Sequence, residues 1–152
     1  MKNKVILIAE DNANDEELTL RALRKNNISN EIVVVRDGQE ALDYLFGTGS
    51  HSDRDLTHRP QVMLLDINLP KVNGLEVLKR VRADERTRTM PVVILTSSAE
   101  ERDRLAAYSN FANSYIQKPV NFDQFTDAVR DLGLYWLVLN EPPPRPRSAA
   151  TS

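Results

Sequence analysis

Short apolar runs that alternate with helical patterns constrain this chain more than any other feature. VILIA (5–9), IVVV (32–35), VMLLD (62–66) and VVIL (92–95) are rich in Val, Ile and Leu. Runs of this length and composition read as parallel strands covered on both faces. A shorter candidate, SYIQ (114–117), stands just before Lys118 and Pro119. Helical periodicity fills 14–26, 37–47, 73–84 and 99–108, and a last stretch, 121–139, follows the fifth run. Strand and helix thus alternate throughout, which predicts βαβ units around an open, all-parallel α/β sheet.

Boundary residues agree. Asn14 and Asp15 are expected to cap the first helix ahead of Glu16 and Glu17, whose charges suit its positive end. Asp37 and Gly38 turn the chain into the second helix, and Ser98 caps the fourth. Residues 47–60, GTGSHSDRDLTHRP, form a long polar loop whose His51 and His58 are assigned no role. The chain of 152 residues suits one domain, 1–139, followed by a proline-rich tail, 140–152, expected to be disordered. Such a tail cannot be an output domain, so the chain is expected to end where its fold ends. A formal charge of -2 offers no field for nucleic acid or an anionic membrane. Without cysteine, thiolate metal sites and disulfides are excluded. The apolar run near the N-terminus is too short for a signal peptide or a membrane span, so a cytoplasmic location is the default expectation.

In open α/β sheets, ligands bind beyond the carboxyl ends of the strands. Those ends carry Glu10 and Asp11, Asp66, Thr96 with Ser97, and Lys118 followed by Pro119. Three carboxylates that converge cannot all ionise without a cation, because like charges raise one another's pKa. Oxygen ligands without His or Cys select a hard ion, and Mg²⁺, which pairs with phosphoryl groups, fits best. Lys118 adds a point charge able to pair first with a carboxylate and then with a phosphoryl oxygen. Thr96 can donate its hydroxyl to the same group. An aspartate can itself be the nucleophile, forming an aspartyl-phosphate. Taken singly, each residue has a plainer reading: Asp66 as a cap or ion-pair partner, the acids as helix caps, Lys118 as a surface lysine. Their occurrence together is what favours the chemistry.

Five elements in order, EDN, LLDINLP with Gly74, LTSS, YIQKP and the alternating pattern, resemble response-regulator receiver domains of two-component signalling. The resemblance covers residues 4 to 137 and implies a flavodoxin-like, doubly wound five-stranded sheet of order 2-1-3-4-5. It implies Asp66 as phosphoacceptor for a sensor histidine kinase, with Glu10, Asp11, Asp66 and the backbone carbonyl of Asn68 holding Mg²⁺. Thr96 and Lys118 would bind phosphoryl oxygens, Thr96 and Tyr115 would act as switch residues, and the Lys118–Pro119 peptide would be cis. Signalling would pass through the surface of the fourth helix, fifth strand and fifth helix to an unknown downstream protein. No enzymatic turnover is expected beyond self-phosphorylation and self-dephosphorylation.

EDNANDEELTLRALRKN, LLDINLPKVNGLEVLKRVR, PVVILTSS, NSYIQKPVNF and LYWL are similar to the single-domain regulators that accompany bacterial and cyanobacterial phytochromes. A phytochrome-type kinase is therefore the implied partner. Alternatives are a pseudo-receiver that never takes phosphate, and a phosphate sink or relay intermediate. A phosphatase with an aspartate nucleophile usually needs a second acid where this chain has Asn68. A flavin carrier needs a hydroxyl-rich or glycine-rich loop where this chain has EDNAND.

The last helix carries Phe122, Phe125, Val129, Leu132, Trp136 and Leu139 at spacings that make one apolar stripe. Its first half is expected to pack on the sheet. Leu134, Tyr135, Trp136 and Leu137 add apolar surface on other sides, which predicts a homodimer through this region.

Overall fold

The computed structural model describes residues 5–24, 30–56, 59–105 and 114–131. Five strands, β1 (Val5–Ala9), β2 (Glu31–Val35), β3 (Val62–Asp66), β4 (Val92–Thr96) and β5 (Ser114–Gln117), pair in parallel in the order β2-β1-β3-β4-β5. Between and after them run α1 (Ala13–Arg24), α2 (Gly38–Phe46), α3 (Gly74–Ala83), α4 (Ala99–Leu105) and α5 (Phe122–Asp131). This is the all-parallel, flavodoxin-like receiver fold that the sequence implies. The region 132–152, with Leu134, Tyr135, Trp136, Leu137 and the tail, lies outside the described residues, as does His58.

Side chains alternate across a strand with a period of two, so each central strand feeds two cores. Leu7, Ala9, Met63, Leu65, Val92 and Ile94 pack with Leu42, Leu45, Val77 and Val81 from α2 and α3. Ile6, Ile8, Val62, Leu64, Val93 and Leu95 face the other way, against Leu23 of α1 and Phe125, Ala128 and Val129 of α5. Nearly every residue of β1, β3 and β4 is at or close to zero exposure, which explains their unbroken apolar composition. The same parity governs the strand ends. Glu10, Asp66 and Lys118 continue the α1/α5 side of Ile8, Leu64 and Ile116, whereas Thr96 and Tyr115 follow Ile94 on the opposite side.

Capping follows the expected chemistry at most helix starts. Asp37 accepts from the Glu40 amide at 2.7 Å, and Asn73 accepts from the Glu76 amide at 2.9 Å. Ser98 Oγ accepts from the Glu101 amide at 3.1 Å. The first helix differs from the sequence reading. Asn12, not Asn14 or Asp15, supplies the cap, its Oδ1 accepting from the Asp15 amide at 2.9 Å. Asp15 stands one turn further in and makes a long-range contact instead. The loop after α2 is also less open than its composition suggests. It holds a short 3₁₀ turn at Gly49–His51, Arg54 stacks 4.0 Å over the Tyr44 ring, and His51 approaches Glu40 at 3.3 Å.

The β3–α3 loop closes tightly over two glycines. Gly74 donates its amide to the Ile67 carbonyl at 3.0 Å, and Gly38 donates to the Pro70 carbonyl at 3.1 Å. A Cβ on Gly38 would stand 1.7 Å from the Val72 carbonyl oxygen, and one on Gly74 would stand 2.4 Å from that of Asp66. Those obstacles are backbone atoms and cannot rotate away. Gly38→Ala is therefore expected to lower unfolding free energy by about 3 kcal/mol, the upper end of ordinary overpacking costs. Urea unfolding followed by circular dichroism measures this, and an unchanged midpoint would contradict the packing described.

Candidate functional site

The strand order reverses between β1 and β3, and ligands of doubly wound sheets bind at that crevice. Glu10 and Asp11 leave β1 there and Asp66 ends β3. One carboxylate oxygen from each of the three lies within 4.8 Å of the others. Glu10 and Asp66 are buried, at 0% and 1% exposure, while Asp11 is exposed. A group with two walled carboxylates and one open to solvent suits a hard divalent ion that keeps part of its water shell.

Lys118 enters from the end of β5, across a cis Lys118–Pro119 bond. Its Nζ donates to Asp66 Oδ2 at 2.9 Å, to Asp15 Oδ2 at 2.9 Å and to Glu10 Oε1 at 3.4 Å. Burial alone would lower the ammonium pKa. The hydrogen bonds to Asp66 and Asp15, with the charges of Asp66 and Glu10, outweigh it and raise the value above that of a free lysine. The other oxygen of Asp66, Oδ1, accepts from the Asn68 amide at 2.9 Å. Both oxygens of a buried carboxylate are therefore oriented, one by a cation and one by a backbone donor.

Glu10 responds to the crowding. Burial first, then a hydrogen bond to Asp66 and that residue's charge, raise its pKa from 4.5 to about 8. A proton on Glu10 is the metal-free way of relieving the repulsion between two buried acids.

Thr96 is fully buried at the end of β4, and its Oγ1 has no hydrogen-bond partner among the described residues. Buried hydroxyls are nearly always satisfied, so an orphan beside the carboxyl edge of β3 is consistent with a missing acceptor. Tyr115 is half-buried on β5 opposite Ile94 and packs against the α2/α3 core, burial raising its pKa. Asn68 is exposed, and its Nδ2 donates to Glu101 Oε2 at 3.0 Å and approaches Ser97 Oγ at 3.5 Å.

The fold thus brings together Glu10, Asp11, Asp66 and Lys118, with Asn68 bonded to Asp66. Two participants escaped the sequence reading. Asp15 looked like a cap, and only its contact with Lys118, 103 positions away in the chain, shows otherwise. Glu101 had a visible signal in Ser98-x-x-Glu101, the capping-box spacing.

An acidic cluster facing a lysine across the switch point of a 2-1-3-4-5 sheet defines the class: an α/β receiver of the two-component type. The chain belongs to the response regulator receiver domain family, whose pattern it matches over residues 6–130. Among solved structures it is similar to the bacteriophytochrome response regulator RtBRR, at 53% identity and a TM-score of 0.84, covering 94% of this chain and 86% of that one. The bacteriophytochrome response regulator AtBRR is similar at 51% identity and a TM-score of 0.84, over 90% of this chain and 96% of the other. A curated relative, the probable methanogenesis regulatory protein FilR2 of Methanothrix harundinacea (strain 6Ac), is 41% identical across 91% of this chain and 87% of its own.

The raised pKa of Glu10 has a signed consequence for the metal-free protein. Between pH 4.5 and about 8 the folded chain holds a proton on Glu10 that the unfolded chain releases. This contribution to stability is complete below the lower value and is lost as pH rises through the upper one. Denaturant unfolding in chelator across that range should show wild type weakening with pH relative to Glu10→Gln. Parallel curves for the two proteins would rule out a proton on Glu10.

Proposed function

We propose that this chain is a phosphorylation-controlled response regulator that takes a phosphoryl group onto Asp66 from a sensor histidine kinase of the phytochrome type. The observation that carries this reading is the environment of Asp66. Its carboxylate is buried at a strand end and held by the Lys118 ammonium and the Asn68 amide, and the neighbouring strand β4 ends on Thr96, whose buried hydroxyl has no partner among the described residues.

In the proposed step a carboxylate oxygen of Asp66 attacks phosphorus in line. The new O–P bond forms as the bond from phosphorus to the donor's imidazole nitrogen breaks, and the leaving imidazole keeps that electron pair. Lys118 already touches the nucleophile, so its charge needs little movement to meet the phosphoryl oxygens. Thr96 supplies a donor. Glu10, Asp11, Asp66 and the Asn68 carbonyl form the donor set for Mg²⁺, which when bound neutralises phosphoryl charge.

An aspartyl-phosphate carries about -1.5 to -2 charge in place of the carboxylate's -1, so the site gains about one negative charge or less and three acceptor oxygens. In this reading Thr96 moves toward it, Tyr115 turns inward, and the α4–β5–α5 surface changes for a downstream protein. The half-buried setting of Tyr115, beside Ile94 and two residues below Thr96 on the same face, supports that role. The chain turns over no other substrate, and its place is the cytoplasm, where the kinase's catalytic portion works. Among the described residues no helix is long and apolar enough to cross a membrane. The likeness to AtBRR and RtBRR supports the phytochrome assignment, and with it a red-light input. A homodimer through the apolar stretch around Leu134 to Leu137 completes the proposal, resting on the sequence alone.

Two measurements test it. Intact mass after incubation with Mg²⁺ and acetyl phosphate should show a labile phosphoryl adduct on wild type and none on Asp66→Asn. A wild type without adduct, beside a control receiver that is phosphorylated, would make the chain a pseudo-receiver. Incubation with an autophosphorylated phytochrome-type kinase should move label to Asp66 within minutes. Return of label to a second histidine protein would show a relay intermediate, and its loss as inorganic phosphate a sink.

A further inference from the structure

Beyond the acids and the lysine, one carboxylate stands on donors that the sheet leaves open beside Asp66. In the β3–β4 pair, Met63 donates to the Pro91 carbonyl at 3.0 Å and Ile67 to the Leu95 carbonyl at 3.2 Å. Continuation of this ladder would send the Ser97 amide to the carbonyl of Ile67. That carbonyl is taken by the Gly74 amide at 3.0 Å. The Ser97 N–H, one residue after the orphan hydroxyl of Thr96, turns away from the ladder at the mouth of the sheet. Glu101 Oε1 accepts it at 2.8 Å, and Glu101 Oε2 accepts the Asn68 side-chain amide at 3.0 Å.

A simple capping box would account for less. Ser98 Oγ accepts from the Glu101 amide, and the reciprocal partner of the glutamate would be the Ser98 amide. Glu101 instead reaches one residue further back, to Ser97, and across to the loop that carries Asn68. Asn68 is itself bonded through its backbone to Asp66 Oδ1 at 2.9 Å. One carboxylate thus holds two N–H donors, one at the end of β4 next to β3 and one on the residue whose backbone is bonded to Asp66.

We propose that Glu101 is an internal occupant of the anion donors beside Asp66, and that it must yield them when a phosphoryl group is accepted. The proposal rests on the reading of Asp66 as phosphoacceptor. A phosphoryl group competes for N–H donors and repels a neighbouring carboxylate. Once Glu101 lets go of Ser97 and Asn68, the link between the first turn of α4 and the β3–α3 loop is broken. The charge on Asp66 is thereby converted into a movement of α4. Unphosphorylated, the same contacts slow phosphoryl acceptance.

The test measures the rate of phosphoryl adduct formation by intact mass, with Mg²⁺ and acetyl phosphate, for wild type, Glu101→Ala, Glu101→Gln and Glu100→Ala. Glu100 is the exposed neighbour on α4, and its removal changes the net charge equally. Loss of a charged competitor for two hydrogen bonds is expected to speed Glu101→Ala by several-fold, up to about tenfold. Glu101→Gln keeps an acceptor for the Ser97 amide, and therefore the start of α4, and should fall between wild type and Glu101→Ala. If circular dichroism shows Glu101→Ala unfolded, Glu101→Gln decides by itself. Glu100→Ala should stay within about twofold of wild type, as expected of a screened surface charge. Rates for the Glu101 variants equal to that of Glu100→Ala, or slower than wild type, overturn the role of Glu101 while leaving Asp66 as acceptor. No adduct on any of the four proteins overturns both.

Discussion

The Lys118 ammonium, only 14% exposed along its side chain, joins carboxylates from the end of β1, the first turn of α1 and the end of β3. A buried ion pair is weak as a source of net stability, since desolvation consumes most of the Coulombic gain. What it does supply is geometry. β5 is short and lies at the sheet edge, and this contact ties its end to β3 and α1 across the mouth of the sheet. The charge persists because its partners outweigh burial, so a cation stands against Asp66 before any ligand arrives. Burial first, and then Asp66 beside it, raise the pKa of Glu10 in the same cluster.

The walls of the site come from backbone closures that only small residues permit. Gly74 lets the loop after Asp66 fold back on the Ile67 carbonyl, and Gly38 lets the same loop lie against the start of α2. Lys71, between them, takes a positive φ of 68° and points its ammonium to within 3.6 Å of Asp37. Asn68 is thus presented by a fixed loop, its amide on Asp66 and its side chain toward α4. The strand parity then divides the chemistry. Acids and lysine collect on the α1/α5 side, whereas Thr96 and Tyr115 lie on the opposite side, toward the α2/α3 core. Asp66 lies with the first group, at the end of the strand that pairs with the one carrying Thr96.

Much of this was legible in the residues themselves. Unbroken apolar runs could only be strands covered twice, and helical patterns between them required crossovers on both faces. Asp66 stood out because a carboxylate closing a buried run needs partners. Glu10, Asp11, Thr96 and Lys118 stood out because each ends a strand in a fold whose ligands bind at strand ends. The turn into α2 at Asp37 and Gly38 and the capping of α4 by Ser98 were readable for a similar reason, since both are set within three residues along the chain. The same logic misplaced the start of α1. Asn12, Asn14 and Asp15 all have side chains able to cap, and local sequence does not say which one has a distant partner.

Periodicity, turn chemistry and strand-end position are short-range properties, and the sequence by itself determined the layered α/β architecture and the acidic set with its lysine. Tertiary structure decided what depends on residues far apart in the chain. It turned Asp15 from a cap into a partner of Lys118. It left Thr96 Oγ1 buried without an acceptor among the described residues, and it set Glu101 on the amides of Ser97 and Asn68. Each of these depends on which donors the sheet ladder uses and which it releases at its mouth. That is settled only when β1, β3, β4 and β5 lie side by side, because a hydrogen bond between distant residues exists only after the backbone has brought them within about 3 Å.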